Sequence, residues 1–138
     1  PMIIANGVHD EKGFIIMQAL GKNLADLRRD MSERRFSDGT VYRVADQMTR
    51  ALRDLHEIGF LHRDVKPNNM CIGAIDKTRV YLIDYGLVRQ YTTESGEVRK
   101  PRDVVGFRGT PRYVPLQVHI KEEQGPSGDI ISFIYSLV

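Results

Sequence analysis

One eight-residue stretch, His62-Arg63-Asp64-Val65-Lys66-Pro67-Asn68-Asn69, constrains this chain more than any other. It sets an acid, a cation and an amide at fixed offsets, as Asp64, Lys66 and Asn69. Pro67 has no backbone N–H to donate, and the residue before a proline avoids helical backbone angles. The stretch therefore predicts a rigid loop on which three polar side chains converge. A plain polar turn would explain a single Asp or Asn, but not all eight residues in this order.

A second polar motif, Asp84-Tyr85-Gly86, begins twenty residues after Asp64 and follows an apolar run at 80–83. By itself this triplet is a common turn. A carboxylate at a strand end can reach a metal when the next glycine lets the backbone turn sharply. Phosphoryl transfer uses a proton-accepting carboxylate, a cation near the moving group and oxygen ligands for Mg²⁺. Together the two motifs predict that chemistry.

Helical periodicity is clearest between Ser37 and Gly59. Apolar residues recur at spacings of three and four from Val41 to Ile58. Ser37, Asp38 and Thr40 are candidate caps, and Gly59 stands where a helix commonly ends. A shorter helix is predicted over about residues 23–34, with a strongly charged outer face.

The remaining elements are shorter. Residues 14–17 predict a buried strand, residues 70–72 and 80–83 a hairpin, and residues 129–138 a buried apolar helix. The stretch from 86 to about 120, rich in Gly and Pro, predicts a long irregular segment, which is usually functional or disordered.

Composition limits the alternatives. The chain has 138 residues, 41% hydrophobic and 28% charged, an ordinary balance for one modest soluble domain. Its net charge of +2 is too near balance to favour a nucleic-acid partner. Cys71 is the only cysteine, so no internal disulfide can form. No uncharged apolar run reaches the roughly 18 residues of a membrane helix. Because the chain starts at Pro1 rather than Met, we expect natural residues upstream.

With these motifs in view, the chain resembles the C-terminal lobe of eukaryotic protein kinases in the casein-kinase-one superfamily, most closely the tau-tubulin kinases. The resemblance implies an α+β fold, mainly helical with short β-hairpins, in which the N-lobe sheet is absent. Residues 1–138 would form a partial kinase domain, from the hinge strand to the start of the central helix. Residues 14–28 resemble the hinge and first helix, 59–69 the catalytic loop, and 84–91 and 106–113 the ends of the activation segment.

The same resemblance implies an ATP- and Mg²⁺-dependent Ser/Thr protein kinase and assigns roles to individual residues. Asp64 would be the catalytic base, Lys66 would face the transferred phosphoryl group, and Thr110 would orient both. Asn69 and Asp84 would hold Mg²⁺. Arg112 would either hold an anion on the substrate or on the protein, or form a plain structural ion pair. His62 and Asp129 would be structural, and the nucleotide would contact Met17, the backbone of Gln18 and Leu20, Cys71 and Ile83.

The resemblance also implies a protein substrate, no nucleic-acid or membrane partner, a monomer, and a cytoplasmic location with the nucleus as a second compartment. Two departures stand out. Pro126-Ser127-Gly128 replaces the family's charged residues before Asp129, and no glycine-rich loop or strand lysine occurs in these residues. We therefore expect the 138 residues alone to be inactive. The alternative is a truncated pseudokinase or scaffold that binds a protein through the basic cluster at 28–35.

Overall fold

The computed structural model describes residues 1–137, which form a mixture of helices and short strands. Single 3₁₀ turns occupy Pro67–Asn69 and Tyr85–Leu87. The strands are β1 (Ile3–His9), β2 (Lys12–Met17), β3 (Leu20–Asn23), β4 (Phe60–Leu61), β5 (Met70–Gly73), β6 (Val80–Leu82) and β7 (Arg89–Gln90); the helices are α1 (Leu24–Asp30), α2 (Asp38–Glu57), α3 (Leu116–His119) and α4 (Pro126–Leu137).

The predicted long helix is confirmed as α2. The Ser37 hydroxyl accepts a hydrogen bond from the Thr40 N–H at 3.4 Å, as an N-cap does. Beyond the helix, Gly59 has φ +84°, and a Cβ there would collide with the Thr92 side chain. Glycine is therefore required at this turn, which sends the chain back toward the site. The buried face of α2 is formed by Val44, Met48 and Leu52, with Val41 and Leu55 half-buried and Ile58 exposed.

The core lies between α2, α4 and a three-stranded sheet with the order β3-β5-β6. The predicted hairpin is present: β5 and β6 pair antiparallel, with Met70 opposite Leu82. Both of these side chains are buried with Phe133 of α4 and Val65 of the central loop. The core therefore holds the loop at residues 62–69 directly. A separate two-stranded pairing of β4 with β7 joins the start of that loop to the segment that follows Asp84.

The N-terminal residues depart most from expectation. Residues 14–17 are extended as predicted, but they are not buried: Ile15 is 60% exposed and Met17 46%. They belong to β2, which pairs antiparallel with β1 as a separate two-stranded sheet. The expectation that this chain lacks all N-lobe sheet is therefore too strong. Burial was wrongly predicted because a short apolar run indicates a strand but does not show whether another element covers it.

Two helices also differ in extent. Helix α1 covers only Leu24–Asp30, because the backbone leaves helical angles at Met31. Helix α4 begins at Pro126, earlier than predicted, and is covered on one side only. Phe133 in α4 is buried, whereas Ile134 is 51% exposed. Among residues 1–137, no helix is both long enough and apolar enough to cross a bilayer.

Candidate active site

The loop at residues 62–69 is fixed from below by a buried carboxylate. Asp129, near the start of α4, is fully buried and accepts the backbone N–H groups of His62 and Arg63, each at 2.8 Å. The His56 Nε2 lies 2.9 Å from the same carboxylate. The anchor is in place although Pro126-Ser127-Gly128 precedes it. Asp129 thus has the structural position that the sequence analysis gave it.

His62 joins this loop to the strand end before Asp84. Its Nε2 lies 3.0 Å from the Ile83 carbonyl, so this nitrogen must carry the proton. Its Nδ1 accepts the Asp64 N–H at 3.3 Å, which the unprotonated nitrogen of that tautomer allows. Burial lowers the pKa of His62, against the opposing effect of the Ile83 carbonyl. The imidazole is therefore neutral near pH 7 and braces both loops.

Three side chains form a hydrogen-bonded triangle above the loop. The Thr110 hydroxyl donates to Asp64 Oδ1 at 2.7 Å and accepts from Lys66 Nζ at 2.8 Å, as the sequence analysis predicted. Lys66 Nζ also lies 2.7 Å from Asp64 Oδ2. Burial alone would raise the pKa of Asp64, but hydrogen bonds from Lys66 and Thr110 outweigh it and keep this pKa below its ordinary value. Asp64 is thus a carboxylate held in one orientation beside a cation.

A glycine allows Thr110 to come this close. Gly109 has φ +109°, and a Cβ there would lie 2.7 Å from the Arg63 carbonyl oxygen and 2.5 Å from a Val114 methyl. Backbone cannot move aside as a flexible side chain can. Any other residue at 109 would therefore push Thr110 away from Asp64.

Asn69 and Asp84 supply the oxygen atoms of the predicted metal site. The Asn69 amide nitrogen donates to the Asp64 carbonyl at 2.9 Å and to its carboxylate at 3.2 Å, which settles the orientation of the amide. The amide oxygen is consequently free to act as a ligand. The Asn69 carbonyl accepts the Ile83 N–H at 2.9 Å, so the strand end before Asp84 is tied to this loop.

Asp84 itself is exposed and lies in the left-handed region, with φ +63°. Aspartate tolerates this conformation better than most residues, and here its Oδ1 accepts the Gly86 N–H at 3.2 Å. One carboxylate and one amide oxygen suit Mg²⁺, which usually takes one or two protein carboxylates and completes its shell with phosphates and water. Within residues 1–137, no group of three His, Cys, Asp or Glu side chains could hold a metal alone. The donor set therefore fits a metal shared with a phosphate ligand.

Tyr85, between Asp84 and Gly86, carries a hydroxyl that needs a hydrogen-bond partner. That hydroxyl donates to the Leu82 carbonyl at 3.4 Å, a long contact, and burial raises the pKa of the phenol. The ring meets the His62 ring edge to face, with centroids 5.3 Å apart. The Tyr85 ring therefore packs against the His62 ring and supports the site.

The residues assigned to the nucleotide are distributed over the central sheet and the end of the N-terminal hairpin. Leu20 in β3 stands opposite Gly73 in β5, and buried Cys71 lies in the same β5 strand. Burial raises the pKa of the Cys71 thiol. Ile83 follows β6 directly, and Met17 ends β2. The Gln18 N–H donates to the Met2 carbonyl at 2.8 Å, so any adenine contact at this residue would use its carbonyl oxygen.

Arg112 is exposed just beyond Thr110, and its guanidinium lies 5.7 Å from the centre of the Tyr113 ring.

The sequence analysis gave no role to Arg63, although this residue lies inside the motif at 62–69. Arg63 has φ +66°, and its Nε donates to the Leu87 carbonyl at 2.7 Å. This bond ties the loop to the segment after Asp84. The sequence analysis also gave no role to His56. The signal that could have found it was its position on α2, six residues before His62.

Several known proteins are similar to this chain in sequence. A protein of Caenorhabditis elegans whose name assigns it to casein kinase I is 46% identical over 99% of this chain and 40% of its own length. A serine/threonine-protein kinase of Dictyostelium discoideum is 41% identical over 98% of this chain and 28% of its own. The serine/threonine-protein kinase spe-6 of C. elegans is 36% identical over 98% of this chain and 36% of its own.

The chain thus spans well under half the length of each of these relatives. Residues 4–136, nearly the whole chain, match the sequence profile described as the protein kinase domain. By this match, and by the loop that carries Asp64, Lys66 and Asn69, the chain belongs to the protein kinase family.

Proposed function

We propose that this chain is part of a Ser/Thr protein kinase, which transfers the γ-phosphoryl group of ATP to serine or threonine hydroxyls of a protein. The proposal rests chiefly on the triangle of Asp64, Lys66 and Thr110, in which a carboxylate and a cation are held 2.7 Å apart. Phosphoryl transfer depends mainly on positioning and on charge stabilisation, and this arrangement suits both needs.

Each side chain has a distinct task in the proposed reaction. Asp64 accepts the proton of the substrate hydroxyl as the hydroxyl oxygen bonds to the γ-phosphorus. The bond from the γ-phosphorus to the β,γ-bridging oxygen breaks, and ADP leaves. Lys66, 20% exposed, can turn from Asp64 toward the phosphoryl oxygens and stabilise their charge. Thr110 holds the side chains of Asp64 and Lys66 in a fixed relative orientation through its two hydrogen bonds. Asn69 and Asp84 would hold Mg²⁺, which when bound neutralises phosphate charge.

The finer family assignment is also part of the proposal. From about residue 18 onward the chain would be the C-terminal lobe, with β1 and β2 as the edge of the N-lobe sheet. The nucleotide would lie against Leu20, Cys71 and Ile83. The whole of 1–138 would be a partial kinase domain, similar to the tau-tubulin kinases of the casein-kinase-one superfamily. We propose further that the protein acts as a monomer in the cytoplasm or nucleus.

The test is a protein-kinase assay on the protein made from its complete coding sequence. Asp64→Asn keeps the side-chain shape but removes the proton acceptor, so we expect transfer to fall by about 10²–10⁴-fold. Asp54→Asn is a matched control, because Asp54 is 65% exposed on α2, and it should keep full activity. Equal activity in both variants would refute the assignment. The 138 residues alone should show no transfer.

A second candidate function is a scaffold that binds a protein partner. A cavity of about 410 Å³ lies between α1, α2 and α4, with Pro67 of the catalytic loop on its wall. Arg28, Arg34 and Arg35 line it with apolar side chains, so it suits an acidic segment with an apolar anchor. Nucleotide binding without transfer, unchanged by Asp64→Asn, would favour this alternative.

A further inference from the structure

A single carboxylate holds together the segment that follows Asp84. Glu123, between α3 and α4, accepts from Arg102 Nε at 2.7 Å and Nη2 at 3.2 Å. Arg89 Nη1 of β7 lies 3.4 Å from the same carboxylate. Only 14% of the Glu123 side chain and 21% of the Arg89 side chain are exposed, whereas Arg102 is 46% exposed, so these ion pairs are partly shielded from water. Such paired, partly buried contacts are stronger than surface ion pairs.

The elements that Glu123 joins all border the catalytic loop. Arg89 lies in β7, which pairs with β4 directly before His62. Arg102 lies in the middle of the irregular segment that leads to Thr110. Glu123 itself stands six residues before Asp129, which anchors the loop from α4. The Glu123 carboxylate thus connects the irregular segment around Arg102 to the two elements that support the catalytic loop, β7 and the start of α4.

The surrounding charge makes this carboxylate necessary. Glu123 and the exposed Glu122 line a small cavity with Arg63 and Arg108, but among the described residues only Glu123 of the two forms ion pairs with arginines. Burial lowers the pKa of Arg63, and the nearby charges of Arg89 and Arg102 lower it further. Four arginines around one site repel one another unless an anion lies among them. Glu123 is that anion, and its pKa is lowered chiefly by its hydrogen bond from Arg102.

We propose that Glu123 is a positioning residue that holds the segment 98–110 against the catalytic loop through Arg89 and Arg102. It touches neither nucleotide nor substrate; it acts through the arginines. In the proposed kinase, on which this inference rests, the segment would form the platform for the protein substrate. Loss of Glu123 would then raise the KM for protein substrate more than the KM for ATP. Because the carboxylate is built in, this arrangement needs no added phosphate.

The first experiment measures amide hydrogen exchange in the protein made from its complete coding sequence. Glu123→Gln should speed exchange of the Arg99 amide, which donates to the Tyr91 carbonyl at 2.8 Å, by about tenfold, the effect of losing one charge-assisted contact. Glu122→Gln is the matched control, because the neighbouring Glu122 is exposed, and it should leave exchange unchanged. Arg102→Gln changes a side chain that is 46% exposed, and it should act like Glu123→Gln.

A second measurement separates positioning from general loss of structure. Glu123→Asp should restore part of the protection. Acetate should restore part of it to Glu123→Ala, whereas chloride at equal ionic strength should not. Equal exchange in Glu123→Gln and Glu122→Gln would overturn the inference. If the wild type transfers no phosphoryl group but exchange still responds to Glu123, the proposed function fails and the contact stands.

Discussion

Asp64 and Asp84 lie on neighbouring loops but in opposite surroundings. The Asp64 side chain is 9% exposed and is held by Lys66, Thr110 and Asn69. Asp84 is exposed, and the hydrogen bond that its carboxylate makes is to Gly86, two residues away. The first carboxylate is therefore oriented by folding itself. The second keeps its coordination free, as a ligand that serves a bound metal needs to do.

The difference teaches where each loop gets its rigidity. Around Asp64, the backbone is anchored by Asp129 and braced by His62, both fully buried. On the Asp84 side, the hydrogen-bonded backbone ends at Ile83. Its carbonyl accepts from His62, and its N–H donates to the Asn69 carbonyl. Preorganisation favours catalysis because the reacting groups need no rearrangement at the moment of reaction. Substitutions should therefore affect stability on one side of the site and ligand binding on the other.

The largest effect should come from removing the anchor of the rigid side. Asp129→Ala deletes a buried acceptor of two backbone N–H groups, and we expect the free energy of unfolding to fall by about 3–5 kcal/mol. Urea unfolding of the complete protein measures this. Asp84→Ala, at an exposed position, should change it by less than about 0.5 kcal/mol. Similar losses in the two variants would break the comparison.

The open side should instead respond in metal affinity. Asp84→Asn removes a charged oxygen from the proposed Mg²⁺ site, so nucleotide binding should need about tenfold or more Mg²⁺. Titration of Mg²⁺ at fixed ATP, followed by calorimetry, measures the shift. Asp54→Asn should show none. An unchanged Mg²⁺ requirement in Asp84→Asn would remove Asp84 from the metal site.

Low pH should lower the free energy of unfolding through His62, which braces the loop that carries Asp64. Its pKa in the folded state lies below the ordinary 6.5, so the unfolded chain binds the proton first as pH falls. Stability from the neutral ring is complete above about pH 6.5 and declines as pH falls toward the lowered value, by at most about 1.4 kcal/mol per pH unit. Urea unfolding between pH 7 and 5 should show this slope. His62→Gln should lack it, and an equal slope in that variant would assign the effect elsewhere.

The smallest effect should follow loss of the Thr110 hydroxyl. Thr110→Val keeps the shape and removes both hydrogen bonds, but the direct ion pair between Asp64 and Lys66 remains. We expect a loss of about 1 kcal/mol in stability, measured by urea unfolding, with a lower kcat in the complete protein. Thr49→Val on the exposed side of α2 is the control. A loss above about 3 kcal/mol would mean that Thr110, not the ion pair, holds the triangle.

The sequence predicted best what depends on local pattern. Helix α2 followed from its apolar period, its Ser37 cap and Gly59. The convergence of Asp64, Lys66 and Asn69 followed from their spacing around Pro67, and the contacts of Thr110 from the family resemblance. In each case the signal lies within a few residues or in a known motif.

What the sequence missed depends on distant partners. The pairing of Glu123 with Arg89 and Arg102 spans more than twenty residues and has no periodic signature. The exposure of Phe14–Met17 could not be read from an apolar run, since burial depends on which other elements arrive. The special backbone of Arg63 and Asp84 likewise reflects the bonds around each residue rather than its type.

The hydrogen bond between Gln18 and Met2 closes the N-terminal hairpin just before the chain enters β3. Beyond this point only Ala19 separates the hairpin from the central sheet. Both strands of the hairpin are largely exposed, so little of their stability derives from the body that carries Asp64. Ala19 is consequently a natural place to graft or cut. Exchange of the hairpin at this point would leave every bond that orients Asp64 intact.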